Sequence, residues 1–246
     1  MEVIKIPTIC LTSNRYVHLI PPFAWCWRHF WPQFNDDDMV IAHYDTLPSD
    51  QHSEEWVKLY LGVQDTMSWS AGLMSALEDV LGEHVLLVLE DYWLDQTANH
   101  HDIIEAIELM RDNPCIGKID LSGDRMQFPH ENWTHPNYVR ALTASTYYHP
   151  EGFKSRLFLM SYQAALWRVD FLRDHLRADE DPWQSEENGT RRLLDTGLLI
   201  LGHRFAPLHY TQAVKGGKPH VLQTRRFNPA FLELLRSKGL LSPWGQ

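Results

Sequence analysis

A chain of 246 residues with a formal net charge of -10 is long enough for one large α/β domain with its own core. Its acidity gives no global pull toward nucleic acid or anionic membrane. Only Cys10, Cys26 and Cys115 occur, without a CxxC pair or an even count, so a disulfide framework is not needed and a reducing, cytosolic setting is expected. No apolar run reaches the ~18 residues of a membrane span, and Met1 to Pro7 is too short and too polar for a secretory leader.

In chain order, "IKIPTICL" (4–11) reads as a first strand, followed by the turn "TSNRY". "PPFAWCWRHFW" suits a helix, since proline is tolerated in a first helical turn, and "MVIAHY" is a second strand. In "SWSAGLMSALEDVLG", Ser68 or Ser70 can cap a helix whose apolar stripe runs through Leu73, Leu77 and Val80 to a stop at Gly82. It leads into "HVLLVL", an uninterrupted apolar run of the kind found in strands buried on both faces. "HHDIIEAIELMRDNP" is a further amphipathic helix and "CIGKIDL" a further strand. Strands alternating with helices predict a mostly parallel sheet flanked by helices. Beyond Asp124, "YYHPEGFKSRLFLMSYQAALWR" reads as two strands, "DFLRDHLR" as a short helix, and "DPWQSEENGTRRLLDTG" as a turn and a helix with acidic residues in its first turn. The tail "GHRFAPLHYTQAVKGGKPH" is strand and loop, and "PAFLELLRSKG" a closing helix. No repeat or Gly/Ser linker divides the chain, so 1–246 is expected to be one domain.

Ligands of such sheets sit at the carboxyl ends of strands. Glu90 and Asp91 follow a buried strand directly, and carboxylates there must be solvated, paired or bound to a cation. Mg²⁺ and Mn²⁺ take one or two carboxylates along with phosphates and waters; capping or pairing with an Arg explains the pair equally well. Glu186 and Glu187 near a helix start can serve as a general base toward a hydroxyl, or be ordinary helix glutamates. Lys215 and Lys218 flank two glycines in a stretch suited to a diphosphate or to a surface turn, and His209 or His203 can complete a metal site. Thr12, Ser13, Asn14 and Arg15 can hold a nucleoside at the first strand's end, or simply form the turn.

In this order the pieces resemble the GT-A class of nucleotide-sugar glycosyltransferases, especially its small phage and environmental members, with a single Rossmann-like domain. The resemblance implies that "VLLVLEDYWL" matches the DxD-like acidic motif that binds metal and sugar diphosphate. Tyr92 stands in the third acidic position. This leaves three arrangements open: Asp91 with Glu90, Asp95 drawn close, or no metal. It implies that Glu186 or Glu187 is the base of an inverting transfer. It further implies that the segment with Trp69 and Ser70 packs near the nucleotide, and that the stretch with Lys215 and Lys218 closes over the diphosphate.

The expectations are therefore a nucleotide-binding half at 1–124 and an acceptor and catalytic half at 125–246. Mn²⁺ or Mg²⁺ would be held by Asp91, Glu90 and His209, and the donor would be a nucleoside diphosphate sugar, UDP-linked by preference. Trp183 and Asp124 would lie on the acceptor side. The acceptor is a glycan or a hydroxymethylated base in DNA, with Arg225, Arg226, Arg236 and Lys238 as a basic cluster for the latter. The location is cytoplasmic, that of the host if a phage encodes the chain. A nucleotidyltransferase would need a glycine-rich first loop, which "TSNRYVH" lacks; a non-catalytic nucleotide or glycan binder is the other rival.

Overall fold

Strands that are apolar on both faces need cover on both sides, and the computed structural model supplies it. It describes residues 5–12, 16–35, 38–43, 60–62, 68–143, 157–194, 196–215, 218–219 and 227–241. The elements in chain order are β1 (Thr8–Leu11), α1 (Ile20–Phe30), β2 (Met39–His43), β3 (Tyr60–Gly62), α2 (Trp69–Glu78), β4 (His84–Val88), β5 (Tyr92–Leu94), α3 (His100–Asp112) and β6 (Ile116–Asp120). They continue with β7 (His130–Asn132), β8 (Tyr138–Ala141), β9 (Ala165–Arg168), α4 (Val169–His175), α5 (Pro182–Leu193), β10 (Leu199–His203), β11 (Tyr210–Gln212), β12 (Val214–Lys215), β13 (Lys218–Pro219) and α6 (Pro229–Ser237).

Nine strands form one sheet in the order β3-β2-β1-β4-β9-β6-β10-β8-β7. Within it β8 and β9 run against the rest, so the sheet is mostly parallel. One face carries α1, α3 and α6 over a core that includes Phe23, Trp27, Ile103 and Leu235. The other carries α2, α4 and α5 over Leu73, Trp167, Phe171 and Leu193. Two-sided cover explains why "HVLLVL" has no polar alternation.

Several elements differ from the sequence expectation. Of the two strands expected between Tyr147 and Arg168, the described part contains β9 alone, and residues 144–156 lie outside the described set. β3, β5, β7 and β8 went unrecognised because each is three or four residues long, too short for a period to register. β5 leaves the main sheet and pairs with β11 in a two-stranded ribbon. Close approach matters at Gly202 of β10, where an added Cβ would lie 2.3 Å from Arg125 Cβ. Gly202→Ala is expected to destabilise the fold by about 1–3 kcal/mol through overpacking, as measured by urea unfolding.

Candidate active site at the carboxyl edge of the sheet

β4 ends at Val88 and the chain turns through Leu89, Glu90 and Asp91. Glu90 is buried, accepts a hydrogen bond from Thr12 Oγ1 at 3.0 Å across from the end of β1, and has its backbone carbonyl bonded by Trp93 Nε1 at 3.1 Å. Burial first, then the neighbouring Asp91 charge, pushes its carboxyl up to about 8. Burial thus favours the protonated form of Glu90. Asp91 is raised to about 6 by burial, offset in part by a hydrogen bond from the Gln212 side chain. The turn is locked from behind, since Asp91 O accepts from the backbone N–H groups of Ala213 at 2.8 Å and Val214 at 3.2 Å.

The opposite bank is built by three consecutive residues entering β9. Ser161 Oγ donates to Asp124 Oδ2 at 2.7 Å, and the Tyr162 N–H donates to Glu186 Oε1 at 2.8 Å. The Gln163 N–H donates to Ser161 Oγ at 3.3 Å and closes the turn. Because β9 is reversed, its beginning faces the edge where its neighbours end. Helix α5 approaches this segment so closely that a Cβ at Gly189 would meet Met160 Sδ at 2.0 Å; only glycine permits the contact, and Glu186 follows from it.

The local sequence fixes α5 through a capping box, in which the Asp181 carboxylate accepts from Gln184 N at 2.8 Å and Gln184 Oε1 accepts from Asp181 N at 3.0 Å. Pro182 opens the helix, so Glu186 and Glu187 lie in the second turn and no acidic residue lies in the first. This corrects the expected placement. The helix dipole acts mainly within the first turn, and burial dominates instead, raising Glu186 to about 7 against the Tyr162 N–H bond and the Lys118 charge.

Beneath this bank lies a fully buried ion cluster. Asp120 pairs with Lys118 at 2.6 Å and with Arg125 at 2.8 Å. Lys118 also donates to the Ser161 carbonyl at 2.8 Å, and Arg125 to the Leu157 and Phe158 carbonyls at 2.9 and 2.6 Å. The cations grip the backbone at Ser161 and just before it, and so set the Asp124 and Glu186 side chains that Ser161 and Tyr162 hold.

Thr12, Glu90, Asp91, Asp124 and Glu186 are thus gathered at one edge, and the two adjacent glutamates are separated. Glu187 is exposed and pairs with Arg191 at 3.1 Å on the helix surface. Trp183 is 76% exposed at the start of α5. Trp69 packs its ring 4.5 Å from that of Tyr162, and Ser70 donates to the Glu180 carbonyl at 2.6 Å. Both brace the loop before α5, which is held from its other side by a bidentate Arg192–Glu180 pair at 2.8 and 2.7 Å.

His209 is not brought to Asp91. It lies opposite Asp95, whose N–H donates to its carbonyl at 3.2 Å, four residues along the ribbon or roughly 13 Å away at about 3.3 Å per residue. Asp95 is at that same far end, its carboxylate accepting from Thr211 Oγ1 at 2.7 Å. His203 is buried near Asp102, at 3.6 Å. Lys215 is exposed on β12. Ser13, Asn14, Arg15, Arg225, Arg226 and the side chain of Lys218 lie outside the described set, while Arg236 pairs with Glu233 and Lys238 sits over Trp25.

Sequence reasoning missed Ser161, Tyr162, Gln163 and the ion cluster. The signal for the cluster was present: Lys118 and Asp120 share a face of an otherwise apolar strand, and opposite charges two residues apart there need a buried partner.

The raised carboxyls couple stability to pH. The folded chain keeps protons on Glu186 and Glu90 up to about 7 and 8, against a usual value of 4.5. Burial lowers His84 and His203 from 6.5, so above that pH they are neutral in both states and the carboxyls dominate. The folded state then binds more protons than the unfolded one, and stability falls as pH rises. A lower Tm at pH 8.5 than at pH 6.5 is the expected result in a calorimetric scan.

No family model matches the chain, and no curated protein does. Solved structures do match. CMP:2-keto-3-deoxy-manno-octonic acid synthetase complexed with CTP aligns over 97% of this chain and 100% of its own, at 13% identity and a TM-score of 0.51. The fold is GT-A-like. At that identity the likeness concerns the fold alone. S. aureus TarS 1-349 aligns over 84% of this chain at 14% identity and a TM-score of 0.49, and the chain spans 59% of its length. Mannosyltransferase PcManGT from Pyrobaculum calidifontis, in complex with GDP-Man and Mn²⁺, aligns over 96% of this chain and 69% of its own at 12% identity and a TM-score of 0.48. Among the described residues no helix is long and apolar enough to cross a membrane.

Proposed function

We propose that this chain transfers a sugar from a nucleoside diphosphate donor, UDP-linked by preference, to a hydroxyl of an acceptor glycan, with Glu186 as the general base. The observation that carries the reading is the placement of Glu186: a carboxylate raised to about 7 by burial, oriented by the Tyr162 N–H, on the bank facing Asp91. A base with a pKa near the working pH balances being ionised against being able to take a proton. Residues 1–124 would carry most of the donor side and 125–246 the acceptor side, with the exposed Trp183 ring offering an apolar face to a sugar. Turnover should rise with pH through about 7, as Glu186 loses its proton.

A divalent ion fits this edge in one way. Among the described residues no three His, Cys, Asp or Glu side chains converge, but Mg²⁺ or Mn²⁺ needs only one or two carboxylates when phosphates and waters complete its shell. Asp91 meets that need. Glu90, buried and engaged by Thr12, does not. An ion at Asp91 would supply charge neutralisation for a departing diphosphate. Asp91→Asn is expected to reduce Mn²⁺-dependent binding of UDP-sugars at least tenfold in calorimetry, with metal-free binding little changed.

The function itself is tested by incubating the protein with UDP- and GDP-sugars, with and without Mn²⁺, and following donor hydrolysis and transfer. Attack by an acceptor activated at Glu186 inverts the anomeric centre. A retained centre would refute the base assignment, and pyrophosphate release from CTP or UTP would replace glycosyl transfer by nucleotidyl transfer.

A further inference from the structure

The loop that leaves β10 holds an aromatic ring in water at the same edge of the sheet. Phe205 is 67% exposed, yet it is fixed: its N–H donates to His203 Nδ1 at 3.2 Å, and its ring packs against the His203 imidazole with centroids 6.0 Å apart. The loop is tied on both sides of it. Arg204 N donates to the Asn137 carbonyl at 2.9 Å, Asn99 N to the Pro207 carbonyl at 2.9 Å and Leu208 N to the Leu121 carbonyl at 3.1 Å. Among the described residues other than glycine, only Phe158 and Ala206 have a positive φ, of 41° and 42°. Both adjoin the turn that carries Asp124: Arg125 donates to the Phe158 carbonyl at 2.6 Å, and Ala206 Cβ lies 3.9 Å from where a Cβ on Gly123 would stand. Backbone held in sparsely populated regions clusters at ligand sites.

Single exposed apolar side chains are ordinary, and Leu81, 93% exposed at the opposite edge before β4, is one. Phe205 differs in being fixed, and in its neighbours. A planar apolar face with carboxylates beside it suits a sugar ring, whose C–H face stacks while its hydroxyls donate. Asp124 adjoins the Gly123 contact and Asp102 lies 3.6 Å from His203, so the surroundings are acidic and disfavour a phosphodiester strand. Glu186 is held at the start of β9, and β10 lies two strands further along the edge, past β6, roughly 10 Å at about 4.8 Å per strand. A ring reacting at Glu186 does not reach Phe205, whereas the ring linked to it does. We propose that Phe205 is a subsite for the second sugar of an oligosaccharide acceptor. The assignment rests on the glycosyl-transfer reading.

With the UDP- or GDP-sugar that the wild type uses, glucose, cellobiose, N-acetylglucosamine and chitobiose are compared as acceptors. The wild type is expected to show a ~10-fold lower KM for at least one disaccharide than for its monosaccharide. Phe205→Ala should erase that difference by raising the disaccharide KM ~10-fold, with the monosaccharide KM, the donor KM, kcat and Tm as in wild type. Phe205→Trp should retain the difference, and Leu81→Ala, at the opposite edge, should change none of these values. Equal KM for mono- and disaccharide in the wild type, an unchanged disaccharide KM in Phe205→Ala, or an equal rise with the monosaccharide would each overturn the subsite while glycosyl transfer stood. Donor hydrolysis without transfer to any of these saccharides, or transfer to a hydroxymethylated DNA duplex alone, would do the same. Failure of the wild type to bind or turn over any donor would overturn the transferase reading and the subsite with it.

Discussion

Glu186→Gln is expected to lower turnover by about 10²–10⁴-fold, the usual range for loss of a positioned general base, while donor affinity stays within a few-fold. Glutamine is the informative replacement because its Oε1 can still accept the Tyr162 N–H, which now bonds Glu186 Oε1 at 2.8 Å; geometry is kept and only proton acceptance is lost. Glu187→Gln is the internal comparison. That side chain faces solvent and pairs with Arg191, so its loss should leave turnover and stability near wild type. Equal loss in both variants, or a loss at Glu187 alone, would sink the assignment of roles. Single-turnover measurements with a UDP-sugar and its accepted glycan separate proton transfer from binding.

Asp120→Asn is expected to cost about 3–5 kcal/mol of stability, because removing one partner of a buried ion pair leaves the other charge uncompensated. Here the carboxylate serves two cations at once, Lys118 at 2.6 Å and Arg125 at 2.8 Å, all three fully buried. Burial already pulls the Lys118 ammonium below its ordinary pKa, with Asp120 opposing that shift. Without Asp120 the lysine should give up its proton more readily, loosening its hold on the Ser161 carbonyl. Denaturant unfolding should therefore show a large fall in midpoint, whereas Asp112→Asn, which breaks an exposed pair with Arg111, should barely move it. A wild-type midpoint for Asp120→Asn would mean that the cluster contributes little to holding the fold.

The central strands, the long helices and the strand-end carboxylates were legible in the sequence because each has a local cause: an unbroken apolar run, a 3.6-residue stripe, a charge pair where burial stops. The choice between Glu186 and Glu187 was not legible. It depends on which side of α5 meets Met160 and Tyr162, and that is set by the contact at Gly189. Nor could the sequence place Ser161, Tyr162 and Gln163 at the functional edge, since a strand inserted backwards presents its start where forward strands present their ends. Tyr92 was noticed as a departure from an acidic motif; its stacking partner Tyr210 lies far along the chain, and only the fold brings the two rings together.

The reversed β9 also has a kinetic consequence. It pairs with β4 on one side and β6 on the other, both made of residues far earlier in the chain, and it must wedge between two strands that could otherwise lie side by side. Pairing across such sequence distances requires loop closure before any contact rewards it, which slows folding. Until β9 is in place, Ser161, Tyr162 and Gln163 have no bank to form. Catalytic competence should thus return late in refolding, after most of the helical signal, and a chain stalled before that step would show an open sheet seam between β4 and β6, the surface most prone to pair with another molecule.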